Sequence, residues 1–117
     1  VRNGAQFLSI LTNDAWWGKT QGHQQLFSYA RLRAIENRRA IARSANTGIS
    51  GFINSKGEVQ QTLAYEEQGV LTSLVPLNNQ LTFYSIYGDY LARWAIFLFG
   101  LFFFIALSGR LKEKADF

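Results

Sequence analysis

The chain has 117 residues and a net charge of +4, and it contains no cysteine and no methionine. The length allows one domain with a modest core. The missing cysteine excludes disulfides, thiolate metal sites and a cysteine nucleophile within these residues. The single histidine, His23, argues against a self-contained histidine metal site or serine–histidine–aspartate triad. A chain that starts on valine and lacks methionine is expected to be processed or cut from a longer one.

Gly4 is expected to cap the end of a preceding helix. Ala5–Leu11 (AQFLSIL) is a short apolar run bounded by Thr12-Asn13-Asp14 and reads as a buried strand. Asn13–Gly22 holds two glycines, an Asn-Asp pair and adjacent Trp16 and Trp17, and reads as a loop. His23–Asn37 reads as a helix. Leu26 or Phe27 with Ala30 and Ala34 gives the helical spacing, and the small alanines predict close approach to a sheet or another helix. Ala40–Ala45 and Ile49–Asn54 alternate like strands, with Asn46-Thr47-Gly48 as a tight turn between them. At Gly48 the expected demand is a backbone conformation that a β-carbon disfavours. Asn54-Ser55-Lys56-Gly57 predicts a hairpin turn, Glu58–Leu63 the returning strand, and Gly69–Pro76 one more strand. Strand, loop, helix and then several strands predict an α/β layer structure with part of its sheet absent.

Leu77–Tyr90 is a polar and aromatic connector to the most apolar part of the chain. From Trp94 to Leu107 no side chain is polar. With Leu91–Arg93 and Ser108–Gly109 added, the segment is roughly 28 Å long as a helix, close to the hydrocarbon thickness of a bilayer. Tyr87, Tyr90 and Trp94 stand at one end like an interfacial belt; Arg110, Lys112 and Lys114 mark the other. No polar stripe exists to face water, so a membrane span is expected over residues 91–109. The positive-inside rule places the tail, 110–117, in the cytoplasm and the body on the opposite side. The expected organisation is a body over 1–85, a connector over 86–90, the span and the tail.

The chemistry-bearing features are few. In Thr12–Gly18 (TNDAWWG), Asn13 and Asp14 can fix the turn by bonding to their own backbone. Trp16 and Trp17 offer large apolar faces to an acyl chain or a protein surface, or pack against neighbouring loops. Arg31, Arg33, Arg38, Arg39 and Arg43 form a basic stretch; Arg31 and Arg38 share a face read as solvated, and Arg33 is answered by Glu36. No aromatic interleaving accompanies it, so nucleic acid is not an expected partner. His23 is read as a capping or surface residue, and Tyr65-Glu66-Glu67 as a solvated loop. No complete catalytic site can be assembled from these residues.

TNDAWWG, then GHQQ, then ARLRAIENRRAIARSANTGISGFINSKG, resembles the C-terminal part of the nitrilase-like domain of the bacterial apolipoprotein N-acyltransferase family, a branch of the carbon–nitrogen hydrolase superfamily. The apolar segment resembles that family's last transmembrane helix. The resemblance covers Val1 to about Arg110. It implies a partial α-β-β-α sandwich followed by one transmembrane helix, in the bacterial inner membrane, with the nitrilase-like part periplasmic. It implies an acyl chain passed from a phospholipid to a cysteine thioester, then to the α-amino group of the diacylglyceryl-cysteine that starts an apolipoprotein, with no metal or organic cofactor. The family's catalytic Glu, Lys and Cys lie upstream of the strand containing Phe7–Leu11, so no catalytic residue is expected here and the chain alone is expected to be inactive. Lys19, Lys56 and Glu36 do not occupy the catalytic motifs. Trp16 carries over as a substrate-facing residue beside the acyl pocket, and Asn13 and Asp14 as residues that shape its loop. Arg33, Glu36, Asn37, Asn46 and Gly48 match positions read as structural. Two other readings stay open: a nitrilase-family amidase with an atypical tail, and a non-catalytic membrane-anchored binding module that uses the Trp loop.

Overall fold

Four strands and three helices follow one another in a computed structural model that describes residues 1–115, with side chains through residue 110. They are β1 (Leu8–Thr12), α1 (Gln21–Asn37), β2 (Ile41–Ala45), β3 (Ser50–Ile53), β4 (Val59–Leu63), α2 (Phe83–Tyr87) and α3 (Tyr90–Ala115). The chain divides into two units, residues 1–86 and the segment from Tyr87 onward.

In the first unit the sheet order is β1-β2-β3-β4. β1 and β2 are parallel, with Leu8 beside Ile41 and Thr12 beside Ala45. β2, β3 and β4 are antiparallel, as their short connections demand. The β3–β4 turn matches expectation: Gly57 has φ +81°, and its N–H donates to Asn54 O at 2.9 Å. α1 is the crossover between the parallel strands. Thr20 caps it by accepting the Gly22 N–H at 3.2 Å, and Arg38 ends it in the left-handed conformation (φ 48°).

Alternation along the strands puts Leu8, Ile10, Ile41 and Ile53 on the face toward α1. They pack with Phe27, Ala30, Ala34 and Ile49 to form the core. Ala34 and Ile41 are fully buried, because only small side chains on α1 let the helix backbone approach the sheet this closely. On the other face Ser9, Ser44 and Leu11 are exposed, Leu11 by 82%. The architecture is mixed α/β, with one sheet and one covering helix among the described residues.

Several expectations need correction. β1 starts three residues later than expected, and Ala15–Trp17 forms a 3₁₀ turn inside the loop. Gly69–Pro76 forms no strand. It carries strand-forming residues, but Val70 and Leu74 stand exposed and no strand edge pairs with it; packing rather than residue preference decides strand formation. Residues 78–85 are tied to the rest of the first unit. Asn78 donates to Arg38 O at 2.9 Å, Ser85 Oγ to Asn37 Oδ1 at 3.1 Å, and the Arg2 guanidinium bonds the Ser85 and Ile86 carbonyls.

Two arginines of the basic stretch, Arg39 and Arg43, are buried, while Arg31 and Arg38 are exposed as expected. Arg39 is 1% exposed, and its guanidinium donates to the carbonyls of Ala5 (2.8 Å), Gln80 (2.8 Å) and Asn37 (3.2 Å). It ties the chain's start and the segment after β4 to the end of α1. Arg33 does pair with Glu36 on the surface, at 2.7 Å.

In the second unit, Tyr90–Arg110 of α3 spans 21 residues with mean hydropathy 2.1 and none of it buried. Its apolar side chains point in all directions, as in a helix surrounded by lipid. By length and composition it is the one helix among the described residues that can cross a membrane. Asp89 Oδ1 accepts the Ala92 N–H at 3.1 Å at its start. Lys112 and Lys114, on which the expected cytoplasmic tail partly rests, lie outside the residues with described side chains, and residues 116–117 lie outside the described chain.

Candidate functional site

Parallel pairing brings the ends of β1 and β2 together, so the loops that follow them lie side by side. This end of a parallel strand pair is where α/β proteins place their chemistry. The loop after β1 carries Asn13, Asp14, Trp16 and Trp17; the loop after β2 carries Asn46, Thr47 and Gly48. Asn46 N donates to Thr12 O at 3.3 Å and joins them.

Asp14 is the root of the Trp loop, and its side chain is fully buried. Its Oδ1 accepts from Thr12 Oγ1 at 2.7 Å. Its Oδ2 accepts from Arg43 Nη2 at 2.6 Å, and the two side chains are 0% and 4% exposed. Arg43 Nε donates in turn to Ile49 O at 3.1 Å. The carboxylate is therefore held by side chains, the neighbouring Thr12 and the distant Arg43, and not by its own backbone as expected. Asn13 does behave as expected: its Oδ1 accepts the Ala15 N–H at 3.2 Å, in an Asx turn.

Gly48 completes the clamp for a reason different from the one expected. It is not among the residues with positive φ. A β-carbon there would overlap Asp14 Oδ2 and stand 2.7 Å from the Asp14 Cβ. The glycine is needed for space, so that the carboxylate can reach Arg43.

Beyond the clamp the loop is tightly held. Trp17 N donates to Asp14 O at 3.1 Å, Thr20 Oγ1 donates to Trp17 O at 2.7 Å, and Gly18 turns the chain with φ 56°. The Trp17 ring lies over Gly22, where a β-carbon would come within 2.7 Å of Cε3. Trp17 is thus half covered. Trp16 has no such cover and is 88% exposed, so it does not pack against neighbouring loops within the described chain.

The structure brings Asn13, Asp14 and Trp16 together on one loop and adds Arg43, Gly48 and Thr12 to it. Arg43 was legible in principle. It stands two residues from Ile41 in an alternating strand, so it shares the buried face. His23 was misread: Thr20 is the cap, and His23 is buried, its ring 4.6 Å from that of Tyr65. No cluster of three potential metal ligands exists among the described residues.

The carbon-nitrogen hydrolase signature matches residues 1–80. The chain belongs to the carbon-nitrogen hydrolase family. Among curated relatives, it is 42% identical over 114 residues to the apolipoprotein N-acyltransferase of Chlorobaculum tepidum, covering 97% of this chain and 21% of that protein. It is 40% identical over 95 residues to the apolipoprotein N-acyltransferase of Geobacter metallireducens, covering 81% of this chain and 18% of the relative. For the enzyme of the same name from Aquifex aeolicus the identity is 43% over 68 residues, 58% of this chain and 16% of the relative. The chain thus spans about a fifth of the length of the relatives it matches best. The family signature ends before α3, whereas the similarity to the Chlorobaculum protein covers nearly the whole chain.

Proposed function

We propose that this carbon-nitrogen hydrolase chain forms the substrate-facing end of an apolipoprotein N-acyltransferase. The acyl donor is a phospholipid, and the acceptor is the diacylglyceryl-cysteine amine of an apolipoprotein. The catalytic Glu base, Cys nucleophile and oxyanion-stabilising Lys belong to a part of the protein upstream of Val1, and these 117 residues alone are inactive. The observation that carries the reading is Trp16: a bare indole on a loop rigidly anchored at its root. Folding exposes such a ring only at a cost in apolar surface. An acyl chain passing the loop would recover it.

Trp16→Ala in the whole protein tests this. An indole engaged by an acyl chain buries ~150–250 Å², worth several kcal/mol at ~25 cal/mol per Å². We expect kcat/KM for acyl transfer to fall by roughly tenfold or more, with stability unchanged within about 0.5 kcal/mol, since the ring has little folded-state packing to lose. Normal turnover in a normally expressed Trp16→Ala enzyme would leave the loop without a role in substrate handling.

The same proposal places α3 across the inner membrane, with the first unit in the periplasm and the C-terminus in the cytoplasm. The protein is expected to stay in the membrane pellet after carbonate washing. Leu101→Arg, near the middle of the span, should weaken insertion by about 2.5–3.5 kcal/mol. Protease added outside spheroplasts should cut the first unit. Release of the intact wild-type chain by carbonate would refute the span, and protection of the first unit from external protease would refute the orientation.

A further inference from the structure

In the GHQQ motif Gly22 lies under the Trp17 ring, whereas His23 and Gln24 line a separate cleft of about 760 Å³ at the N-terminal end of α1. That volume lies within the range of ligand-binding clefts. Its polar lining includes Lys19, His23, Gln24, Thr62 and Tyr65, with Phe27 among its apolar lining residues. No carboxylate lines it, and no acidic residue stands in the first turn of α1. Lys19 makes no ion pair among the described residues, and the helix's positive end points the same way. The first turn of a 17-residue helix and a free lysine favour an anion, but they do not by themselves make a site.

His23 is the second, independent observation. The residue is 5% exposed, and its Nδ1 is sealed from solvent without a hydrogen-bond partner. Nε2 has no partner among the described residues either, and it is not sealed; His23 is one of the residues that line the cleft. A histidine this buried normally spends both nitrogens on the protein. Here the ring is fixed by Tyr65, at 4.6 Å and 36°, and neither nitrogen has a partner among the described residues.

We infer that this cleft is an oxyanion site for a phosphate group. The phosphate would take the His23 Nε2 proton, the Lys19 ammonium and free N–H groups of the first turn of α1. Both a lipid headgroup and free phosphate carry this chemistry. For a lipid headgroup the inference rests on the phospholipid donor of the proposed function; the Lys19 and His23 variants read this cleft separately from turnover.

The test is calorimetric titration of the whole protein in detergent with inorganic phosphate, with dioctanoyl phosphatidate, and with dioctanoylglycerol, which lacks the phosphate. Phosphatidate binding roughly tenfold or more tighter than phosphate assigns the site to a lipid headgroup; equal binding assigns it to the free ion. Lys19→Glu, at an exposed position, should weaken either ligand by roughly tenfold or more. His23→Phe, which keeps a ring against Tyr65, should weaken it similarly, and His23→Gln, which keeps an N–H donor, should lose less. Failure of both phosphates to bind, equal binding of dioctanoylglycerol, or unaltered binding in Lys19→Glu overturns the inference.

Discussion

Replacing Asp14 with alanine is expected to cost about 3–5 kcal/mol of stability, the largest effect of any single change in the Trp loop. The reason is what remains behind. Arg43 is 7% exposed, and its Nη2 would lose a charged partner at 2.6 Å in a place that water does not reach. Its remaining bond, from Nε to the Ile49 carbonyl, does not balance a buried positive charge. Arg43→Met is expected to cost a similar amount, because it strands the Asp14 carboxylate with only the Thr12 hydroxyl. The double variant Asp14→Ala/Arg43→Met should be clearly more stable than the sum of the singles implies, since no charge is left buried. Thermal unfolding followed by tryptophan fluorescence measures all three. For a unit of this size, a loss of ~3 kcal/mol lowers Tm by more than ~10 °C. Additive single losses would mean that the pair is not coupled, and the clamp would be ruled out. Acyl transfer should fall in each single variant as well, because the root of the loop that carries Trp16 is no longer held.

Gly48→Ala is expected to break the same clamp from the other side. The added methyl would occupy the space of Asp14 Oδ2. Neither neighbour yields easily: Asp14 is pinned by Thr12 and Arg43, and the Gly48 backbone leads directly into β3. Overpacking typically costs about 1–3 kcal/mol, and displacing the carboxylate adds part of the ion-pair loss. The combined loss should exceed about 3 kcal/mol. A second substitution separates this account from ordinary glycine flexibility. In an Asp14→Gly background both the carboxylate and the Cβ at position 14 are gone, so Gly48→Ala should then cost less than about 1 kcal/mol. If the penalty were as large without Asp14, the glycine would serve its own backbone and not the clamp.

Much of the fold was legible from local pattern. The alanine spacing identified α1 to within two residues of its N-terminal end, and the alternation around Gly48 identified β2 and β3. The Asn-Ser-Lys-Gly turn joined β3 to β4 as expected. The apolar run lies within one helix, α3, whose Tyr90–Arg110 part is by length and composition able to cross a membrane. The Trp loop was recognised, and Trp16 and Asn13 stand where its sequence suggests. The failures share a cause. His23 was read as a capping or surface residue and Asp14 as bonded to its own backbone, and no partner was read for Arg39 or Arg43. All four are buried because partners distant in sequence surround them. Asp14 and Arg43 are 29 residues apart, and Arg39 and Gln80 are 41 apart. Gly69–Pro76 failed in the opposite direction, because its apolar pattern has no edge to join.

That no cysteine chemistry can come from these 117 residues follows from composition alone, without any need for geometry. The order of elements, the family signature and the apolar helix were likewise determined by residues close together in the chain, through periodicity, turn chemistry and length. Which charges leave water was decided only by the tertiary structure. The parallel pairing of β1 with β2 set the Asp14 carboxylate against Arg43 and cleared the space for it at Gly48. A buried charge is tolerable only when its partner arrives with it, and that arrival depends on the crossover through α1, which no local pattern specifies.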